Sequence, residues 1–186
     1  MDLLKKKILI TGKIVAETGL LIGGTNSAMG IGGPDKTVIR NPVTNEPYVP
    51  GSSLKGKMRS LLEIAAGSIK SVRMGNVKHG PDDDPPKKST QLFGTARTDD
   101  DQRPSRIIVR DGHLLNADQL QNTDLPFTEA KTEVVIDRIT SAAMPRTVER
   151  VPAGAEFALN IVVNVFETDS HRDQMLALTF KGLQMV

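Results

Sequence analysis

Residues 50–66 read PGSSLKGKMRSLLEIAA. Pro50 and Gly51 interrupt the preceding segment. Leu54, Met58, Leu61, Leu62 and Ala65 then recur at helical spacing and form one apolar stripe. Ser52 or Ser53 is expected to cap this helix, and Gly67 to end it. Three cations, Lys55, Lys57 and Arg59, fall in its first turns, the end where the helix dipole disfavours positive charge. Either an anion sits there, or this is a solvated face whose lysine stems cover apolar surface. Lys55 and Arg59 share a face, Lys57 points to another, and Gly56 lets a foreign backbone approach closely.

Working outward from the helix, KILITGKIVA (7–16) alternates at period 2, as a half-buried strand does. ETGLLIGG (17–24) ends in a glycine pair, and TNSAMGIGGPD (25–35) is too rich in glycine and polar residues to pack. TVIRNP (37–42) reads as a short strand and NPVTNEPYVP (41–50) as a turn-rich connection. Residues 75–105 are charged and rich in Pro and Gly, which predicts a mobile insertion with LFG as its only packed anchor. RIIVRDG (106–112), TEVVIDRIT (132–140) and AEFALNIVVNVFE (155–167) read as strands, with an arm, SAAMPRTVERVPAG (141–154), between the last two. RDQMLALTFKGLQM (172–185) is an amphipathic helix with Met175, Leu176, Thr179, Phe180 and Leu183 on one side.

Without its insertions the order is strand, helix, strand, strand, helix. That is an α+β chain of split βαβ, or ferredoxin-like, pattern lacking its last strand. The expectation is one domain over 1–186, cut short after Val186.

The chain holds 186 residues and no cysteine, which excludes disulfides, zinc thiolates and thiol nucleophiles and points to a reducing cytoplasm. No signal peptide is visible, and no apolar run reaches the roughly 20 residues that span a bilayer. The net charge of +2 hides an asymmetry. Residues 1–73 carry 11 Lys and Arg against 5 Asp and Glu, while the remainder carries 13 against 17. This suits an anionic partner for the N-terminal part, or ordinary solvated surface. Aromatic residues are only 3%, so any nucleic acid would be held through phosphates and shape rather than by base stacking.

Asp35, in GIGGPDKTVIRNP, is a turn residue or a carboxylate able to hold a divalent cation or orient a 2′-hydroxyl. No second carboxylate stands near it in sequence, so a preformed two-metal site has no support. The runs Asp82–Asp84 and Asp99–Asp101 read as solvated linker, and His79, His113 and His171 are scattered without a nucleophile. IDRITSAAMPRTVERVPAG (136–154) sets Arg138, Arg146 and Arg150 around an apolar tip of Ile139, Met144 and Pro145. Such an arm can part stacked bases and grip the backbone, or serve as an oligomerisation hairpin.

Together ETGLLIGG, the Gly-x-x-Asp before VIRNP, PGSSLKGKMRSLL, LFG, IVRDGHLLNAD and EVVIDRITSAAMPRTVER resemble a known family. It is the repeated backbone subunit of type III-A (Csm-type) CRISPR effector complexes, within the RAMP superfamily. The stretches run in family order across most of the chain. The resemblance implies a ferredoxin-like (RRM-like) palm, an inserted lid and a β-hairpin thumb over 132–154. It also implies copies stacked along a guide RNA beside other subunits, away from any membrane. Asp35 matches the family's catalytic aspartate, which cuts complementary target RNA at regular intervals with a divalent metal, Mg2+ or Mn2+. Ser52, Ser53, Lys55, Lys57 and Arg59 fall on the guide-binding helix; Arg138, Ile139, Met144 and Arg146 fall on the thumb. A non-catalytic RNA-binding filament subunit is the alternative. Leu21 stands where relatives commonly have a histidine, and the family's later glycine-rich loop falls beyond Val186.

Overall fold

The structure, a computed structural model, describes residues 3–24, 34–74, 77–84, 87–95 and 104–186. In chain order its elements are β1 (Leu4–Val15), β2 (Tyr48–Val49), α1 (Gly51–Ala65), β3 (Lys70–Met74), β4 (Val77–Gly80), α2 (Lys88–Phe93), β5 (Ile107–Val109), β6 (Gly112–His113), β7 (Glu129–Ile136), β8 (Ala143–Arg150), β9 (Glu156–Phe166) and α3 (Arg172–Gln184). One sheet has the order β1-β9-β5, and β2–β6, β3–β4 and β7–β8 form separate pairs. The segments gather into two compact units, one of residues 1–11, 50–110 and 160–186, the other of 12–49 and 111–159.

In the first unit, β9 is the middle strand, and its β-branched run Ile161–Val163 is buried throughout. β5 pairs with it antiparallel, Ile107 opposite Val163 and Val109 opposite Ile161. β1 lies at the sheet's edge, and its alternation shows there: Ile8 and Ile10 are half-buried, Leu9 exposed. Of the expected stripe of α1, Leu54, Met58 and Leu62 are buried, Leu61 is half-buried, and Ala65, in the helix's last position, is exposed. α3 packs on α1 at Gly182, where an added Cβ would lie 3.2 Å from Leu62 and Met58 side-chain carbons. Phe180 departs from the expected apolar face of α3: Met175 and Thr179 are buried, but Phe180 is 51% exposed. The close approach at Gly182 fixes which side of α3 meets α1, and Phe180 falls off that side.

The start of α1 also differs from expectation. Its N-cap is Pro50, without a side-chain cap, so Ser52 and Ser53 lie inside the first turn, both exposed. Packing sets this start: Gly51 lies against β5, and any side chain there would meet the Val109 carbonyl. Gly51→Ala should therefore destabilise the chain by about 1–3 kcal/mol, the range for overpacking, read as a lowered denaturant midpoint. Gly67, at φ 63°, ends the helix as expected.

Of the expected insertion 75–105, residues 75–76, 85–86 and 96–103 lie outside the described residues. The rest is more anchored than composition suggested. Leu92 and Phe93 are buried, but so are Asp82 and Thr90, whose hydroxyl donates to the Asp82 carbonyl at 2.9 Å.

The second unit centres on Val38, Val148, Val151 and Phe157. β7 and β8 pair antiparallel from Glu129–Arg150 to Ile136–Ala143, so the expected strand and arm form one hairpin. TVIRNP is not a strand. Lys36 bridges Val148 in parallel, while Val38 bridges Gly23 and Arg40 bridges Pro47 antiparallel. Its pairing alternates between different neighbours, so no continuous ladder forms.

Candidate nucleic-acid interface

At the start of α1 the first intrahelical bond runs from the Leu54 amide to the Pro50 carbonyl. The amides of Ser52 and Ser53 therefore have no acceptor within the helix. Ser53, Gly56, Lys57 and Ser60 share one exposed arc with Ser52 beside it. A Cβ at Gly56 would meet nothing within 4 Å, and Lys57 makes no hydrogen bond or ion pair with the described residues. Three hydroxyls, two amides, a cation and a bare backbone position make a face that suits a phosphate.

The other two cations are used internally. Half-buried Lys55 donates to Ser105 Oγ at 2.7 Å and to the Ile107 carbonyl at 3.3 Å. Its pKa is lowered, first by burial and then by the Arg59 charge. Arg59 Nε lies 2.7 Å from buried Glu63, and its Nη2 donates to the Asp82 carbonyl at 2.7 Å. Cations at the wrong end of this helix are thus partly explained by the chain's own acceptors.

In the second unit, Asp35 is exposed beside β8. Its amide donates to the Thr147 carbonyl at 2.9 Å, and the Thr147 amide donates back to Asp35 Oδ2 at 3.2 Å. The following residues continue the attachment. The Glu149 amide donates to the Lys36 carbonyl at 2.9 Å, the Gly24 amide to Thr37 at 3.0 Å and the Ile39 amide to Ile22 at 2.8 Å. Residues 25–33, the glycine-rich loop before Asp35, lie outside the described residues.

Below this segment is Glu149, 4% exposed. Its Oε1 accepts from Arg40 at 2.6 Å and from the Thr128 hydroxyl at 2.7 Å, and its Oε2 from the Val38 amide at 3.0 Å. Burial is the largest influence and would raise this carboxyl. The bonds from Arg40, Thr128 and Val38, with the Arg40 charge, outweigh it and hold the pKa below the ordinary glutamate value. The resulting stability is present above the ordinary value and is lost as pH falls through the lowered folded one. Sequence reading passed over Arg40, Thr128, Thr147 and Glu149. No local pattern marks this network, because Glu149 shares its strand with Arg146, Thr147 and Arg150, and its partners Thr128 and Arg40 lie 21 and 109 positions away.

The far half of the β7–β8 hairpin is uncovered. Ile139 is 94% and Met144 72% exposed, and Val134, Val135 and Ile136 are exposed too. Asp137 shapes the turn, accepting from the Thr140 amide at 2.7 Å and the Ile139 amide at 2.9 Å; these bonds hold its carboxyl below the ordinary range. Arg138 is exposed, whereas Arg146 pairs across the hairpin with Glu133 at 2.8 Å. Arg150 pairs with Glu129 at 2.5 Å. Among the described residues no three Asp, Glu or His side chains converge to hold a metal, and no helix is long and apolar enough to cross a membrane.

The RAMP superfamily model matches residues 13–182. The CRISPR system Cms endoribonuclease Csm3 of Streptococcus thermophilus is 40% identical over 170 residues, covering 91% of this chain and 72% of that protein. The protein of the same name from Methanothermobacter thermautotrophicus is 37% identical over 198 residues, covering 98% of this chain and 77% of its own. Among solved structures, the Csm3-Csm4 subcomplex in the type III-A CRISPR-Cas interference complex aligns with TM-score 0.59 at 25% identity, over 98% of this chain and 66% of that one. The α+β fold is shared with these structures, and the resemblance drawn from the sequence is borne out. Matched by one family model over most of its length, the chain belongs to the RAMP superfamily.

Proposed function

We propose that the chain is a guide-RNA-binding backbone subunit of a type III-A CRISPR interference complex that cuts complementary target RNA with Asp35. The observation that carries this reading is the likeness to Csm3 endoribonucleases over nearly the whole chain. The sheet order β1-β9-β5 with α1 and α3 supports a ferredoxin-like palm, the segment around α2 a lid, and the β7–β8 hairpin a thumb. Its partners are guide RNA, target RNA, further copies of itself and the complex's other subunits. A chain free of cysteine suits assembly in the cytoplasm.

The start of α1 holds the guide through its phosphates, and the guide reads the target by base pairing, which removes any need for base readout by the protein. The apolar tip of Ile139 and Met144, with Arg138 and Arg146, parts the target bases. The exposed Asp35 carboxylate takes the proton of a target 2′-hydroxyl. That oxygen attacks the adjacent phosphorus, the P–O5′ bond breaks, and the departing 5′-oxygen takes a proton from water. The products thus carry a 2′,3′-cyclic phosphate and a 5′-hydroxyl, while Asp35 returns its proton to solvent. Asp35 offers one carboxylate, enough for an ion such as Mg2+ that takes its remaining ligands from RNA phosphates and water. Held there by Asp35, Mg2+ or Mn2+ would supply charge neutralisation at the phosphate.

The test is the complex assembled with guide RNA and given labelled complementary RNA. Regularly spaced fragments ending in cyclic phosphate are expected, and intact RNA overturns the reading. For the helix face, Lys57→Ala should weaken RNA binding whatever the sequence and lower the salt slope by roughly one unit, with thermal stability unchanged. A wild-type slope shows that Lys57 is not at a phosphate.

A further inference from the structure

We infer that Glu149, with Arg40 and Thr128, forms a buried positioning site that sets where Asp35 stands, so that the rate of target cleavage depends on it while RNA binding does not. The inference rests on Asp35 being the cutting group.

Asp35 is exposed, and its carboxylate is placed by the Thr147 amide bonded to its Oδ2 and by the backbone that carries it. Proximity is demanding: a displacement of about 1 Å at a reacting group can cost on the order of 10²-fold in rate. The backbone from Asp35 to Val38 runs along β8, bonded at Thr147 and Glu149. The Glu149 side chain adds what a β ladder alone lacks. One carboxylate accepts from the Val38 amide on one oxygen, and from Arg40 and Thr128 on the other. Arg40 extends the attachment, donating to the Asn45 carbonyl at 2.8 Å and the Pro126 carbonyl at 3.0 Å. Three separate stretches, 38–45, 126–128 and β8, are joined at a single buried charge.

Stability alone does not require this arrangement. A buried ion pair can often be exchanged for apolar side chains of similar size at little cost. An apolar residue cannot accept from the Val38 amide, and that bond lies three residues from Asp35. The network sits on the side of the segment away from solvent, so it need not touch RNA to govern where Asp35 is held.

The experiment uses Glu149→Gln in the complex assembled with guide RNA. Gln brings one oxygen where donors face both carboxylate oxygens, so its NH2 must confront a donor. Single-turnover cleavage should fall about 10–100-fold, with target affinity within about twofold of wild type. Unchanged cleavage overturns the inference. So does a fall in affinity matching the fall in rate, because that marks damage to the fold alone. If Glu149→Gln does not assemble, the isosteric Thr128→Val should still slow cleavage about 3–10-fold at unchanged affinity, and a wild-type rate there overturns the inference. Asp35→Ala is run alongside. Unchanged cleavage in that variant overturns the reading of Asp35, and this inference with it. Lost cleavage in Asp35→Ala with full rate in Glu149→Gln overturns this inference alone.

Discussion

Asp35→Ala should reduce target cleavage about 10²- to 10⁴-fold, the usual contribution of a general acid or base. Guide and target affinity should stay as in wild type, since neither depends on this carboxylate. The side chain has a second duty, accepting from the Thr147 amide, and Asp35→Asn separates the two. Asn keeps an oxygen for Thr147 and loses only the charge, so it should be as inactive as Ala, with unchanged thermal stability. Denaturing gels of labelled target report the rate, and filter binding reports the affinity. Wild-type cleavage in Asp35→Ala would leave an RNA-binding filament subunit whose cutting is done elsewhere.

Arg59→Ala is expected to be the most destabilising change on α1. The guanidinium is 17% exposed and serves Glu63, whose side chain is 4% exposed, together with the Asp82 carbonyl. Removing it strands a buried carboxylate, a loss of about 3–5 kcal/mol. For a chain of this length that lowers Tm by roughly 10 °C, at about 2–4 °C per kcal/mol. Adding Glu63→Gln should return part of the loss, because the stranded charge is then gone. Thermal melts of the single and double variants decide the matter. An unchanged Tm with weakened RNA binding would instead place Arg59 at a phosphate.

What the sequence made legible follows from periodicity. The stripe Leu54, Met58 and Leu62 and the run Ile161–Val163 announce a buried helix face and a buried strand, because burial there is a local pattern. The hairpin tip was legible too, since Ile139 and Met144 stand among cations where no core pattern accounts for them. Pairing between distant residues was not legible. Nothing within PGSSLKGKMR says that Lys55 reaches Ser105 or that Arg59 reaches Asp82, and these partners change how two of the three cations are read. The serine cap failed for the same reason: the helix start is set by the Val109 carbonyl, 58 positions along the chain from Gly51. The network at Glu149 draws on positions 38, 40 and 128, and no short window contains it.

The hairpin that exposes Val134, Val135 and Ile136 has a consequence for the subunit before it meets RNA or other copies. A short β-branched apolar run on an uncovered strand is the kind of segment that seeds aggregation. Here the run is bracketed by Glu133 and Asp137, and Pro145 stands opposite Val134 on the neighbouring strand, where it removes a backbone donor. Charges at both ends and a proline alongside discourage a stray strand from adding on. The arm can thus stay apolar enough for its intended partner while the newly made protein waits, unassembled, in a crowded cell.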